Sequence, residues 1–309
     1  MVQQDELLLA NVAYLYYKKG MSQDRIAKNL YISRSTVSRL LQRALEEGVI
    51  EIKIHFPFER NRELEKKLIV KYNLKDCHIL FTEETTSFDQ ICRYSANYLS
   101  EIIKDNMIIG LSSGRTVYNI CKQLQPHGQE GLTFSAVKGN AGNDSDYIYD
   151  SPETIRSTAQ KFNAEFNMIY SPLFVFNETV RQYLLDEHVI KGALNVARKS
   201  DLLIASVGGI RDDKLSVYRN YLDNSNMREI LKEESAASIL GHFLNSKGEY
   251  INSKLDESVI GLSLEEIRNI KTVALVAEGK AKSKGLKSAL LSGLVDILIC
   301  DQSCTLGLL

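Results

Sequence analysis

SQDRIAKNLYISRSTVSRLLQR, Ser22 to Arg43, holds two short helical patterns that meet at a tight turn near Tyr31, Ile32 and Ser33. Ser22 and Ser33 stand where a side-chain oxygen caps the start of each helix. Ile26, Ala27, Leu30, Ile32, Val37, Leu40 and Leu41 recur at helical spacing, so the two helices share one small core. Between Arg25 and Arg43 lie five basic residues (Arg25, Lys28, Arg34, Arg39, Arg43) and no acidic one. This is the pattern of a helix-turn-helix. Arg34, Ser35, Thr36, Ser38 and Arg39 open the second helix, from which a recognition helix presents side chains to base edges in the major groove. Gln23, Thr36, Arg39 and Arg43 are placed for phosphates or flanking bases. The competing reading is a solvated basic face on an ordinary helical hairpin. Caps, turn, apolar spacing and acid-free charge agree on double-stranded DNA instead.

With 309 residues the chain is too long for a bare DNA-binding module. The expected division is a DNA-binding domain over residues 1–56, a linker helix over 57–75 and a second domain over 76–309. Net charge is −1, with +2 in residues 1–56 and therefore −3 in the rest. A near-neutral body behind a basic head excludes a non-specific, histone-like binder, whose whole surface is cationic. Cys77, Cys92, Cys121, Cys300 and Cys304 are an odd, scattered set lying mostly in apolar stretches, which reads as reduced intracellular thiols. Cys300 and Cys304 stand four apart, but no neighbouring His or Cys completes a metal set, so neither metal nor other cofactor is implied. There is no signal-peptide pattern, and the apolar runs fall short of the roughly 18 residues that span a bilayer. The expectation is a cytoplasmic protein with no membrane partner.

Asp5 to Lys19 repeats Leu8, Leu9, Val12, Leu15 and Tyr16 at helical spacing up to Gly20, giving a third helix for the head. After Gly48 the period becomes two: Ile50, Ile52 and Ile54 alternate with Glu51, Lys53 and His55, which predicts a strand that could serve as a wing. Pro57 ends it, and Asn61 to Tyr72 returns to helical spacing through Leu64, Leu68 and Ile69. From Cys77 onward short apolar runs alternate with amphipathic helices, the signature of an α/β domain with a parallel sheet. Strands are expected at Cys77–Phe81, Met107–Leu111, Phe134–Val137, Leu202–Val207, Thr272–Ala277 and Val295–Cys300. Gln90–Lys104, Val117–Leu124, Glu153–Phe162, Glu187–Lys199 and Lys282–Ser292 supply helices. Ser263 with Glu266 reads as a capping box.

In such a sheet, ligands bind at the carboxyl ends of the strands, so the loops that follow strands carry the chemistry. Ser112, Ser113, Gly114, Arg115 and Thr116 lead straight into a helix, where small residues let backbone N–H groups approach an anion and Arg115 adds a bidentate contact. Plain helix capping is the alternative. Lys138, Gly139 and Asn140 end the next strand. A desolvated lysine there binds an anion or forms a Schiff base with an open-chain aldehyde; the alternative is a surface lysine paired with Asp144 or Asp146. Gly208 and Gly209 follow a third strand. Glu278, Gly279, Lys280, Ala281 and Lys282 follow a fourth, where a merely charged helix face is the alternative. The convergence of four such loops carries the reading. His55, His78, His127, His188 and His242 are scattered, and none sits in a recognisable acid/base pairing at a strand-end loop, so no catalytic residue is assigned. The competing class is a sugar-phosphate isomerase or deaminase with an appended DNA-binding head.

Over essentially its full length the chain resembles the SorC/DeoR-type sugar-binding transcriptional regulators. SQDRIAKNLYISRSTVSRLLQRALEEGVIEI is similar to their DNA-binding domain, and IGLSSGRT, VGGI, ILGHFLNSKGEYIN and VALVAEGKAKSKGLKSALLSGLVDILICDQ to blocks of their effector domain. The resemblance implies a Rossmann-like, sugar-phosphate-isomerase-like domain, a phosphorylated sugar effector, operator DNA and a homo-oligomer, dimer or tetramer. It implies a phosphate-loop role for Ser112, Gly114, Arg115 and Thr116, and it gives the late lysine as Lys282 rather than Lys280. Ser113 stands where many members have Trp, Ser171 where Ala is usual, Glu278 in place of a glycine, and Lys138-Gly139-Asn140 in place of Asn-Gly-Gly. Lys138 and DSPETI, Asp150 to Ile155, are most similar to the deoxyribonucleoside-regulator branch, which implies deoxyribose 5-phosphate, an aldehyde that an amine can capture.

Overall fold

The computed structural model describes residues 2–50, 58–83, 85–140, 149, 151–209, 235–251 and 254–309. The chain divides into two compact units, Met1–Pro57 and Phe58–Leu309.

In the first unit, helix α1 (Val2–Ala13) ends in a π turn over Tyr14–Lys18, a wider winding than the regular helix its apolar spacing predicts. Helices α2 (Gln23–Leu30) and α3 (Arg34–Glu46) follow. The Ser22 and Ser33 side chains accept from the Arg25 and Thr36 N–H groups, so both caps form where the sequence places them. Tyr31 makes the turn with φ 56°. Val12, Ile26, Ala27, Val37 and Leu41 are buried together, and Leu30, Ile32 and Leu40 pack against them. The expected wing strand falls almost wholly on residues 51–57, outside the described residues; Ile50 packs against Leu9, Ala13 and Ala44.

The second unit begins with helix α4 (Arg62–Tyr72). Expected as a linker, it is built into this unit: Leu68 and Tyr72 join the main core, and the Tyr72 hydroxyl donates to the Leu308 carbonyl. A chain then runs through β1 (Asp76–Leu80), α5 (Ser87–Ile102), β2 (Ile108–Leu111), α6 (Arg115–Gln123), β3 (Thr133–Ala136), α7 (Ser151–Lys161) and β4 (Glu165–Asn167). Helices α8 (Glu178–Asp186) and α9 (His188–Ala197) return it to β5 (Leu202–Ser206). An antiparallel set of three, β6 (Gly208–Gly209), β7 (Ser235–Ile239) and β8 (His242–Asn245), precedes helices α10 (Lys254–Glu257) and α11 (Leu264–Arg268). The chain closes with β9 (Val273–Ala277), a 3-10 turn over Lys280–Lys282, α12 (Ser283–Leu291) and β10 (Ile297–Asp301).

Seven strands form one parallel sheet in the order β1-β10-β9-β5-β2-β3-β4. All six expected strands are present, shifted by a residue or two. β4, the antiparallel set and α8 are additional; they are short or half-exposed and lack the continuous apolar run that marks a central parallel strand. Strand alternation assigns the two faces. Phe134 on β3 meets Phe162, just past the end of α7, whereas Asn167 on β4 donates to the Ala193 carbonyl of α9 and to Ser135 of β3. From β2 the chain works outward to β4, and from β5 it works back toward β1, so the strand order reverses between β5 and β2. A crevice opens at the carboxyl ends of strands at such a reversal. All five cysteines are buried thiols, and no described helix is long and apolar enough to cross a membrane.

Candidate nucleic-acid interface and effector crevice

On α3 the buried Val37, Leu41 and Ala44 line the inward side, which leaves Arg34, Ser35, Ser38 and Arg39 exposed on the outward one. Ser33 Oγ lies 2.8 Å from both Ser35 Oγ and Thr36 Oγ1, so the cap also organises the hydroxyls of the first turn. The sequence shows no acid between Arg25 and Arg43, but the flanking acids fold back onto the stripe. Asp24 stands 3.7 Å from Arg34, and Glu47 pairs with Arg43 at 2.5 Å. Arg39 keeps an exposed guanidinium with no ion pair among the described residues. Gln23 and Thr36 are half-buried.

In the second unit the loops singled out by sequence all leave the carboxyl edge of the sheet, and those after β2 and β5 flank the reversal. The Ser112 N–H donates to Ile204 O of β5, which fixes the first loop across the switch point. Gly114 occupies the N-cap position of α6 at φ 117° and ψ 162°, and among the described residues no side chain caps the helix. Ser112 and Ser113 therefore do not cap α6. Among the described residues nothing lies within 4 Å of where a Gly114 Cβ would stand, so they leave the first turn of α6 open on that side. The Gly114 N–H itself is taken by the Tyr149 carbonyl at 2.9 Å, and the Tyr149 ring meets Tyr118 edge-on. At the other end of α6, Lys161 donates to the carbonyls of Cys121, Lys122 and Leu124, satisfying the C-terminal acceptors and leaving the positive end of the dipole toward the crevice.

Cationic groups gather around that helix end. Arg115 is exposed and its guanidinium lies 4.1 Å from the centre of the Phe88 ring at the start of α5. Lys282 Nζ donates to Ser206 Oγ, the last residue of β5, at 3.0 Å. The Gly279 N–H donates to buried Asp301, which also accepts from the Ser303 N–H, so the late loop is tied to the end of β10. Burial pushes the Cys92 thiol up to about 12, and the charges of Asp89, Lys282, Arg115 and Glu278 all act on it. Burial likewise raises the Cys304 thiol, with Asp301, Lys282 and Glu278 acting on it. Residues far apart in sequence thus share one electrostatic environment.

Lys138 is buried, 6% exposed, at the end of β3. It bridges to Gly261, whose Cβ position would fall 2.9 Å from that of Lys138, so the lysine is held against the 259–262 segment. Gly139 has a packing role: a Cβ there would stand 2.5 Å from Pro172 O and 2.7 Å from Ser171 O. Asn140 exchanges backbone hydrogen bonds with Ser171 and Leu173, and its buried Oδ1 has no hydrogen-bond partner among the described residues. Gly208 pairs within the antiparallel set, opposite Ser238, with Gly209 beside it opposite Ala237. The alternative partners of Lys138, Asp144 and Asp146, lie outside the described residues.

Sequence reasoning missed Phe88, Tyr149 and Ser206. Ser206 could have been found near the end of an apolar run; nothing local marks Phe88 or Tyr149. Two histidines prove to be paired with carboxylates, His78 with Asp76 and His242 with Asp256 at 2.9 and 2.5 Å. Both rings are buried and fully engaged, His78 also by Tyr94 and His242 by the Leu262 carbonyl, which is a structural arrangement. No group of three metal-ligating side chains occurs among the described residues. A surface cavity of about 390 Å³ lined by Ser100, Lys104, Asp105, His127 and Gln129 lies beside the amino end of β2, at the opposite edge from these loops.

Residues 56–309 match the family model described as "Putative sugar-binding domain", and residues 4–51 match a homeodomain-like domain. The deoxyribonucleoside regulator of Bacillus subtilis (strain 168) is 31% identical over 305 residues, covering 98% of this chain and 97% of that relative. The sorbitol operon regulator of Klebsiella pneumoniae is 22% identical over 304 residues, covering 96% of each. The crystal structure of the full-length sorbitol operon regulator SorC from K. pneumoniae has a TM-score of 0.74 at 23% identity, covering 99% of this chain and 100% of that one, and shows the shared fold. With a helix-turn-helix at one end and a sugar-binding domain matched along the rest, the chain belongs to the SorC/DeoR-type family of sugar-binding transcriptional regulators.

Proposed function

We propose that this regulator is a repressor whose affinity for double-stranded operator DNA is set by a phosphorylated sugar bound at the carboxyl edge of the parallel sheet. The observation that carries the reading is the uncapped start of α6, open beside Gly114 and flanked by Arg115 and Lys282 at the strand-order reversal. A helix N-terminus with adjacent cations is built for a phosphoryl group. Ser112, Ser113 and Thr116 supply hydroxyls around it, and the buried Asn140 Oδ1 is an acceptor suited to a sugar hydroxyl. Gly208, Gly209 and Gly279 allow backbone to approach the ligand closely. Differential binding of the sugar to two conformations supplies the coupling to DNA.

The effector we favour is deoxyribose 5-phosphate. The Lys138 amine, buried at the end of β3, attacks the aldehyde carbon of the open-chain sugar; water leaves and a C=N bond remains. The B. subtilis relative is named for deoxyribonucleosides, which agrees with a deoxypentose. Arg34, Ser35, Thr36, Ser38 and Arg39 read the operator, with Gln23 and Arg43 on its backbone, and two-fold pairing of chains supplies two half-sites. The reading makes the protein a homo-oligomer that works in the cytoplasm and turns nothing over. The test is a fluorescence-anisotropy titration on duplexes selected from random DNA, with and without deoxyribose 5-phosphate. Release by the phosphorylated sugar but not by deoxyribose supports the proposal; consumption of more than one equivalent of sugar phosphate per chain contradicts a binding-only role.

A further inference from the structure

Glu278 follows β9 directly, one strand from the strand-order reversal at β5, and precedes Gly279 at φ 89°. Its side chain is half-buried, and among the described residues it forms no ion pair. A carboxylate beside Arg115 and Lys282 at the carboxyl edge of the sheet is not explained by anion binding, which it opposes. Nor does it hold the fold together, since Asp301 ties down the Gly279 N–H.

The place of Glu278 in the sheet suggests its use. β9 and β3 are three strand positions apart, about 14 Å at the usual spacing of about 4.8 Å, with Glu278 bounding the crevice on one side and Lys138 on the other. The phosphoryl-binding start of α6 belongs to the loop after β2, two positions, or about 10 Å, from β9. A strand-end residue at that separation is placed to meet another part of the ligand than the phosphoryl group held on α6.

We infer that Glu278 is a specificity-determining residue: its carboxylate accepts hydrogen bonds from sugar hydroxyls and rejects a second phosphoryl group, so the crevice takes sugar monophosphates and refuses bisphosphates. The inference rests on the phosphate-crevice reading above and deepens it. A carboxylate has only acceptors to offer, which suits hydroxyl donors. A second phosphoryl dianion facing it in a partly desolvated site meets like-charge repulsion. The Glu278 charge acts on both the Cys92 and Cys304 thiols, the same groups that feel Lys282, which agrees with a place beside that lysine at the carboxyl edge of the sheet.

Isothermal titration of the full chain with deoxyribose 5-phosphate, ribose 5-phosphate and fructose 6-phosphate, and with ribose 1,5-bisphosphate and fructose 1,6-bisphosphate, tests it on the native protein and on Glu278→Gln. The amide keeps the shape and an acceptor oxygen but no charge. The native protein should prefer its monophosphate over the matching bisphosphate by roughly tenfold or more, and Glu278→Gln should recover about tenfold in bisphosphate affinity while changing monophosphate affinity less. Glu278→Gln should melt within a few degrees of the native protein without ligand, which separates a specificity effect from misfolding. A bisphosphate preference in the native protein, or a ratio unmoved by Glu278→Gln, overturns the assignment alone. If the native protein binds none of the five, the phosphate crevice fails and this assignment with it.

Discussion

Lys282 Nζ and Ser206 Oγ, 3.0 Å apart, join the turn after β9 to the last residue of β5. Residues 76 positions apart in sequence meet there because β5 and β9 are hydrogen-bonded neighbours, with Ser206 in register with Val276. This bond holds the ammonium at the strand-order reversal. Lys282→Ala should lower affinity for a phosphorylated sugar by roughly tenfold or more, the size of a lost charge-assisted hydrogen bond. Arg115→Ala should do the same. Neither should alter DNA binding without effector, and titration calorimetry paired with anisotropy on operator DNA reads both quantities. An effector response that survives both substitutions would put the phosphoryl group elsewhere.

Arg39 presents an exposed guanidinium on the outward side of α3 and contributes nothing to the core beneath it. Arg39→Ala should weaken operator binding by about 1–3 kcal/mol, with stability within about 0.5 kcal/mol of the native protein. Anisotropy and thermal melting measure the two effects. Unchanged operator affinity would mean that another face of the unit meets DNA.

The buried Lys138 amine makes a prediction that noncovalent binding does not. Borohydride added with deoxyribose 5-phosphate should leave a secondary amine on Lys138, visible by mass spectrometry of the peptide that carries it. Lys138→Ala should abolish the adduct, and absence of the adduct from the native protein would remove the Schiff base from the account.

Gly139 tests which glycines serve packing and which serve the ligand. A Cβ at Gly139 collides with the carbonyls of Ser171 and Pro172, neither of which is the end of a flexible side chain. Gly139→Ala should therefore cost roughly 1–3 kcal/mol by overpacking, read as a lower denaturation midpoint without any ligand. Full stability in that variant would show that the β3 loop can yield and that its glycine serves another purpose.

Much of the fold is legible in the sequence because its signals are local. Ser22 and Ser33 cap helices, the Ser263 and Glu266 capping box forms as read, and six apolar runs become strands of the parallel sheet. β4 escapes because Glu165, Phe166 and Asn167 form a half-exposed edge strand with no continuous apolar run. α4 is read as a linker because helical spacing shows an apolar face but not what covers it; the Leu68 and Tyr72 face lies against the unit's own core. Within the crevice, the residues that leave strand ends are legible and their partners are not. Phe88 under Arg115 and Tyr149 on Gly114 are produced by topology, which brings the starts of α5, α6 and α7 together across long stretches of chain.

The most direct measurement is the melting temperature of the full chain against deoxyribose 5-phosphate and other sugar phosphates, each beside its unphosphorylated form, because a ligand of the native state raises it by mass action. The account predicts a rise with a phosphorylated sugar, deoxyribose 5-phosphate above all, that is absent for the free sugar and lost in Lys282→Ala. Equal shifts for phosphorylated and free sugar, or a rise that persists undiminished in Lys282→Ala, would contradict a phosphoryl group held at the start of α6.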